Sequence, residues 1–213
     1  PKHVIDATIA IEDDQFFEHY GFDVGGIVKG FFAEYLGIGS RRGGSTITQQ
    51  LVKNTLLSSE RTVTRKIKEL IISIQLERTY SKNEILSLYL NTIPYGNNAY
   101  GIEMAARIYF GKHAPELSLA EAAILASLPQ APSRYNPYAN GKSLLMGSFD
   151  EEGNYVTGRK DVVLKRMQDQ GYITAEVRRS AFEEAAKITF KKYQEDITHP
   201  HFVLYVKELL ENK

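Results

Sequence analysis

The chain has 213 residues, which is long enough for one domain with a substantial hydrophobic core. Its formal net charge is zero, with 26 Lys and Arg against 26 Asp and Glu, so no global field indicates a nucleic-acid partner. It contains no cysteine, which excludes disulfides and thiolate chemistry, and no apolar run reaches the ~20 residues of a membrane span.

The first predicted element is a helix over residues 4–20 that ends at Gly21. Within it, Glu12, Phe16 and His19 are spaced at i, i+4 and i+7 and would share one face. Glu12 follows an apolar run, so burial would raise its pKa toward that of a working general base. The alternative is a solvated carboxylate, and this segment alone slightly favours that alternative.

The neighbours of Glu12 have simpler interpretations on the residues alone. Asp13 is typical of a solvent-facing or capping position. Phe16 fits a core position better than a platform for a sugar ring. A single helical histidine such as His19 is usually a structural residue whose hydrogen bonds are satisfied.

A glycine-rich loop follows at residues 39–44. Its Gly-x4-Gly spacing is that of a phosphate-binding P-loop, but the required Lys after the second glycine is missing and no strand precedes it. What remains is a loop that opens onto a helix N-terminus near Ser45 or Thr46, which attracts anions. Amide and ammonium groups then line that helix at Gln49, Gln50, Lys53 and Asn54. An ordinary polar helix face is the alternative, and the density of amides makes it no better than even.

Charge and periodicity single out the next helix, residues 62–79. Residues 1–40 carry seven Asp/Glu and two Lys/Arg, whereas residues 41–82 carry nine Lys/Arg and three Asp/Glu. Arg65 and Lys66 precede Glu69 by four and three residues. This spacing fits an intrahelical salt bridge worth about 0.2–0.5 kcal/mol. It equally fits a cationic cradle for a diphosphate, with Glu69 holding the cradle or a metal ion.

The rest of the chain is predicted to be mainly helical. Ser81 is a plausible N-cap for a helix through Leu90. Further helices are expected over residues 119–128, from about 160, and over 175–187 and 201–211. Residues 130–158 are rich in Pro, Asn and Gly and indicate a long irregular connection, with a short hairpin near residues 154–157.

Five sequence blocks then stand in order along the chain. They are Glu12-Asp13-x-x-Phe16-x-x-His19-x-Gly21, the run 44–54, Arg65-Lys66-x-x-Glu69, Ile85-Leu86-x-x-Tyr89-Leu90-Asn91-x-x-x-x-Gly96, and Ala106-x-x-Tyr109-Phe110-Gly111 running to 117–123. Together they resemble the peptidoglycan glycosyltransferases of family 51 over essentially the whole chain. No Ser-x-x-Lys occurs, so a serine transpeptidase is absent from this chain.

The resemblance implies a mainly α fold in which residues 1–213 form one glycosyltransferase domain. A lysozyme-like helical head would comprise residues 1–21 and 61–213, and a smaller, flexible, membrane-associated jaw would lie within about 22–60. The apolar segment 22–38 would contact the membrane surface at the outer face of the bacterial cell membrane. The chain begins without an initiator Met, so we expect it to be part of a class A penicillin-binding protein or a monofunctional relative. A transmembrane anchor upstream, and any transpeptidase downstream, would lie outside it.

The implied reaction polymerises lipid II into β-1,4-linked glycan strands. The 4-hydroxyl of the incoming GlcNAc attacks the lipid-linked chain, and undecaprenyl pyrophosphate leaves. Glu12 would be the general base, and Glu69 would position cations or bind a divalent cation, Mg or Mn; no organic cofactor is expected. The cations for the leaving group would be Lys53, Arg61, Arg65 and Lys66. Further substrate contacts would come from Asp13, Phe16, His19, Ser45, Thr46, Gln49, Gln50 and Asn54. The resemblance also implies binding of moenomycin-type inhibitors.

Two other functions remain in competition. A lytic muramidase also uses one helical glutamate, but its neutral glycan substrate gives a cationic cradle no purpose. A membrane-peripheral binding domain would hold the precursor without reacting it, and it predicts that Glu12→Gln keeps full biological activity.

Overall fold

The computed structural model describes residues 1–23, 45–57 and 62–190. Within these ranges the protein is mainly α, which confirms the predicted fold class. The helices are α1 (Lys2–Glu12), α2 (Ile47–Leu56), α3 (Val63–Thr79), α4 (Lys82–Thr92), α5 (Ile102–Phe110), α6 (Leu119–Ser127), α7 (Lys142–Met146), α8 (Arg159–Asp169) and α9 (Ala175–Ala185). A 3-10 turn, Ala114–Glu116, lies between α5 and α6.

Two short antiparallel hairpins complete the described elements. Strand β1 (Pro94–Gly96) pairs with β2 (Ala99–Tyr100), and β3 (Ser148–Phe149) pairs with β4 (Tyr155–Val156). The second hairpin confirms the one predicted near residues 154–157. Predicted helix N-caps are also confirmed, because Ser81 and Thr46 each accept a hydrogen bond from the third residue of their helix in a capping box.

The first helix is shorter than the sequence predicts. It ends at Glu12, and residues 14–22 form turns and bends. The prediction that Glu12, Phe16 and His19 share a helical face is therefore wrong. The reason is that the Asp13 carboxylate accepts hydrogen bonds from the backbone of α2 and from His19, which holds the Asp13 backbone in a non-helical conformation.

The hydrophobic core has two parts that meet at α6. Every residue from 120 to 128 is buried, because the alanines of α6 allow close approach of its neighbours. Helices α1, α8 and α9 pack against α6 and form one part. Residues of α2, α4 and α5 form the other, together with Phe16. Glu12 is the last residue of α1, so the packing of α1 in this core fixes its position.

The predicted jaw, residues 22–60, falls largely on 24–44 and 58–60, outside the described residues, as do Arg61 and the helix expected at 201–211. Within the jaw range, α2 is described, and its Ile47 and Leu51 are buried in the same cluster as residues of α4. The division into head and jaw stays a prediction. Among the helices of the described ranges, none combines the length and apolar character needed to cross a membrane.

Candidate active site

The Glu12 side chain is half-buried, and one of its two carboxylate oxygens has no hydrogen-bond partner among the described residues. Its Oε2 accepts a hydrogen bond of 2.7 Å from Nε2 of Gln50. Its Oε1 is shielded from solvent and has no hydrogen-bond partner among the described residues. Burial raises the pKa of Glu12, and this effect outweighs the Gln50 hydrogen bond and the charges of Arg159 and Arg166, which lower it. A carboxylate with a raised pKa is a stronger base than one in water, and Oε1 is the oxygen of Glu12 without a hydrogen bond in the described ranges.

Two arginines of α8 set the electrostatic environment of Glu12, and sequence reasoning did not single them out. Arg166 donates to the carbonyl of Ile11 at 3.5 Å, and Gln170 donates to the carbonyl of Ala10 at 3.1 Å. Carbonyls at a helix C-terminus lack helical partners, so these donors complete the end of α1 beside Glu12. Arg159 also acts on the Glu12 charge. The available signal was the seven-residue spacing of Arg159 and Arg166, which puts both on one face of α8.

Asp13 fastens the end of α1 to the start of α2. One carboxylate oxygen accepts from the backbone N–H of Ile47 at 2.9 Å, and both oxygens lie 3.0 Å from Nε2 of His19. Because Nδ1 of His19 accepts from the Gly21 N–H at 3.2 Å, Nε2 is the nitrogen that donates to Asp13. Thr46 adds a hydrogen bond of 2.8 Å from its hydroxyl to the Gly21 carbonyl. Asp13 is thus a capping residue, which is one of the two positions that the sequence indicated. The helix that it caps is α2.

We expect Asp13→Asn to lower the free energy of unfolding by about 2 kcal/mol. A neutral amide oxygen is a weaker acceptor than a carboxylate oxygen, so the hydrogen bonds from the Ile47 N–H and from His19 weaken. The NH2 group that replaces the second oxygen also faces Nε2 of His19, which is a donor. Thermal unfolding followed by circular dichroism measures the effect. The control is Asp6→Asn in the same helix, which removes only an ion pair to the exposed Lys2. An Asp13→Asn variant as stable as Asp6→Asn would show that Asp13 does not fasten the two helices.

A second cluster lies on α3 around Glu69, whose side chain is only 1% exposed. Nη1 of Arg65 donates to Oε2 of Glu69 at 3.0 Å, and Nζ of Lys66 donates to Oε1. Lys66 also donates to the Ser45 hydroxyl at 3.0 Å, which ties α3 to the start of α2. The intrahelical salt bridge predicted from spacing therefore exists. It also fixes two cations with a single carboxylate, which leaves the group with a net positive charge.

The residues around Glu69 do not fit a divalent cation. Both of its carboxylate oxygens are engaged by cationic groups, which a metal ion would have to displace. Nor does any group of three or more His, Cys, Asp or Glu residues within the described ranges form a potential metal site. The Mg or Mn ion allowed by the resemblance stays a prediction that this donor set does not support.

The remaining predicted site residues divide by burial. Phe16, Thr46 and Gln49 lie in the interior, where Phe16 packs beneath the Lys82 ammonium at 4.5 Å and the other two form the cap of α2. The roles of these three residues as substrate contacts stay predictions. Lys53 and Asn54 are exposed on α2. Gln50 donates a hydrogen bond to Glu12 through its amide nitrogen. Its amide oxygen accepts one from the Tyr89 hydroxyl at 3.1 Å.

The chain is similar in sequence to proteins of one known family. A family model described as transglycosylase matches residues 1–168, which confirms the resemblance drawn from the five blocks. The chain is 45% identical, over its full length, to penicillin-binding protein 1A of Aquifex aeolicus (strain VF5), of which it covers 27%. It is 40% identical, over 97% of its length, to penicillin-binding protein 1F of Bacillus subtilis (strain 168), of which it also covers 27%.

A crystal structure of penicillin-binding protein 1A from Haemophilus influenzae, at 2.6 Å resolution, is similar to 76% of this chain and 19% of that one, with 31% identity and a TM-score of 0.46. The chain spans about a quarter of the length of the two relatives compared above. The match to the family model covers well over half of its residues. The protein therefore belongs to the transglycosylase family.

Proposed function

We propose that this chain is a peptidoglycan glycosyltransferase that polymerises lipid II, with Glu12 as the general base. The observation that carries the proposal is the half-buried Glu12 carboxylate, whose Oε2 accepts a hydrogen bond from Gln50 while Oε1 has no hydrogen-bond partner within the described part of the chain. Membership of the transglycosylase family and similarity to penicillin-binding proteins support the same reaction class.

The chemistry follows from the needs of an alcohol nucleophile. The GlcNAc 4-hydroxyl is a weak nucleophile at neutral pH, so it requires a base as it attacks. Oε1 of Glu12 takes the hydroxyl proton, the oxygen bonds to C1 of the donor MurNAc, and the bond from C1 to the diphosphate oxygen breaks. The electron pair of that bond leaves with undecaprenyl pyrophosphate. Attack from the opposite face turns the α-linked donor into a β-1,4 bond.

Fixed cations are the second requirement, because the departing diphosphate gains negative charge. Arg65 and Lys66 are held by Glu69, so their positions need no reorganisation during the reaction. Lys53, exposed on α2, adds a third cation, and Arg61 is proposed as a fourth. Glu69 acts here through these cations, and no step is assigned to a metal ion.

The same cations separate this proposal from a muramidase. A raised pKa at Glu12 suits an acid as well as a base, so the carboxylate alone does not decide between the two enzymes. Hydrolysis of a neutral glycan gives the group of Arg65, Lys66 and Glu69 no anion to bind. The cationic group therefore favours a substrate that contains a diphosphate.

The wider setting is also proposed from the resemblance. Lipid II and the lipid-linked glycan would be the partners, reached at the outer face of the bacterial cell membrane. Segment 22–38 would contact that surface as part of a jaw within 22–60, and moenomycin-type inhibitors would compete with the lipid-linked glycan. The similarity to penicillin-binding proteins about four times as long supports a larger parent protein.

Incubation with fluorescent lipid II in detergent tests the proposal. We expect glycan strands that a muramidase degrades, with one undecaprenyl pyrophosphate released for each bond formed. The same preparation is given preformed strands as a control for hydrolysis. Shortening of those strands, or lipid II binding without any polymer, would reject the transferase in favour of the muramidase or the binding domain, respectively.

A further inference from the structure

The orientation of the Gln50 side chain decides whether Glu12 is held or repelled. A side-chain amide has a donor end and an acceptor end of nearly equal shape. In the structure Nε2 faces Glu12 Oε2 at 2.7 Å, so the amide donates to the carboxylate. The opposite orientation would bring the amide oxygen against the carboxylate oxygen, two acceptors with no proton between them.

Tyr89 fixes that orientation from the other side. Its hydroxyl lies 3.1 Å from Oε1 of Gln50, and its side chain is fully buried in α4. Burial, followed by the nearby Glu12 charge, raises the pKa of Tyr89 well above its ordinary value. The phenol therefore keeps its proton and remains a donor, which attracts the amide oxygen and turns Nε2 toward Glu12.

We propose that Tyr89 is a positioning residue for the reaction, acting through Gln50 to keep Oε2 of Glu12 bonded and Oε1 free as the proton acceptor. The inference rests on the proposed function. The hydrogen bonds form one line from Tyr89 through Gln50 to Glu12. Tyr89 and Gln50 lie 39 positions apart along the chain, and Gln50 and Glu12 lie 38 apart. Tyr89 itself contacts neither substrate nor the reacting atoms.

The proposal predicts a pH effect. Burial raises the pKa of Glu12, and the Gln50 hydrogen bond lowers it. The charges of Arg159 and Arg166 also lower it and that of Asp13 raises it, and all three residues are unchanged in a variant that lacks the Tyr89 hydroxyl. Without the Tyr89 hydroxyl, Gln50 no longer has a fixed orientation, so the Glu12 carboxylate loses stabilisation and its pKa rises further. Less of the base is then ionised at neutral pH, and a higher pH restores it.

The test is the pH dependence of kcat for strand formation in Tyr89→Phe. We expect a loss of roughly tenfold at neutral pH, a return toward the wild-type rate as pH rises, and little change in KM. Tyr109→Phe is the matched control, because it also loses a buried hydroxyl, one that bonds to Tyr95 and Asn97 instead of Gln50. A purely structural role of Tyr89 would lower kcat by the same factor at every pH, and that result would overturn the proposal.

A double-mutant cycle tests the route through Gln50. Gln50→Leu should reproduce the pH shift, and adding Tyr89→Phe to it should change nothing more, since the amide that Tyr89 orients is gone. Additive effects would overturn the proposal. Gln50→Leu also serves if Tyr89→Phe does not fold.

A titration without substrate separates this inference from the proposed function. The Glu12 carboxyl carbon is followed by 13C NMR in wild type, Tyr89→Phe and Tyr109→Phe. We expect a pKa above the wild-type value in Tyr89→Phe alone. An unchanged titration overturns the positioning role even if Glu12 is essential for polymerisation. A shifted titration in a protein whose Glu12→Gln variant still polymerises lipid II supports the hydrogen-bonded line and rejects Glu12 as the base.

Discussion

Glu12→Gln is expected to abolish strand formation while leaving lipid II binding intact and the fold at least as stable as wild type. The amide has nearly the shape of the carboxylate, but it cannot accept a proton from the attacking hydroxyl. General-base catalysis contributes about 10²–10⁴-fold to a rate, so the loss should be of at least that order. We assign lipid II binding to the cations of α2 and α3, and this change removes none of them.

The gain in stability has a definite pH dependence. Burial raises the folded-state pKa of Glu12 above its unfolded value, so ionisation opposes folding. This penalty is absent below the unfolded value of about 4.3 and complete once pH exceeds the raised folded value. Glu12→Gln removes it. The difference in Tm, variant minus wild type, should therefore be positive near neutral pH and vanish as pH falls toward the unfolded value.

Thermal unfolding across that pH range measures the difference. Glu84→Gln is the control of opposite sign, because hydrogen bonds from Ser81 lower the pKa of Glu84 and its ionisation favours folding. Its Tm difference should be zero or negative near neutral pH and disappear at low pH. A wild type more stable than Glu12→Gln near neutral pH would contradict the assignment of a desolvated carboxylate.

The second large effect is expected from Glu69→Gln, which should lower the free energy of unfolding by about 3 kcal/mol. The variant leaves the Arg65 guanidinium largely buried without its anionic partner. Lys66 is 48% exposed and turns to water, which keeps the loss at the lower end of the range for broken buried pairs. For a chain of this length the change corresponds to a fall in Tm of roughly 6–12 °C.

Activity should fall together with stability in Glu69→Gln. The two cations lose their common anchor, and removal of one preorganised donor typically costs about 10²-fold or more in kcat. Asp169→Asn is the control, since it breaks an i,i+4 pair with Lys165 that is more than half exposed and worth less than about 1 kcal/mol. If both variants unfold at the same temperature, Glu69 does not hold a buried cationic group. Strand formation at the wild-type rate would remove Arg65 and Lys66 from catalysis.

The features that the sequence predicted well depend on residues that are close to one another in the chain. The pairing of Glu69 with Arg65 and Lys66 follows from spacing within one helix, because residues three and four apart are neighbours on its surface. The cap at Thr46 and the mainly α fold follow from similarly short-range patterns. The apolar run before Glu12 indicated the burial that raises its pKa, although that segment alone slightly favoured a solvated carboxylate.

What the sequence did not predict depends on contacts between distant segments. Helix α1 ends at Glu12 because Asp13 bonds to Ile47, 34 residues further on, and no local periodicity reports such a bond. The Gln50 and Tyr89 hydrogen bonds join three helices. Arg166 of α8 donates to Ile11 at the end of α1, which lies 155 residues away in the chain. The environment of Glu12 is therefore a product of tertiary packing.

The most direct test of the central claim is a time course of strand formation from purified lipid II by the wild-type and Glu12→Gln proteins. Both preparations are first matched for circular dichroism and for lipid II binding. We predict long, muramidase-sensitive strands from the wild type and none from Glu12→Gln. Strands of the same length, formed at the same rate by both proteins, would contradict the assignment of Glu12 as the general base.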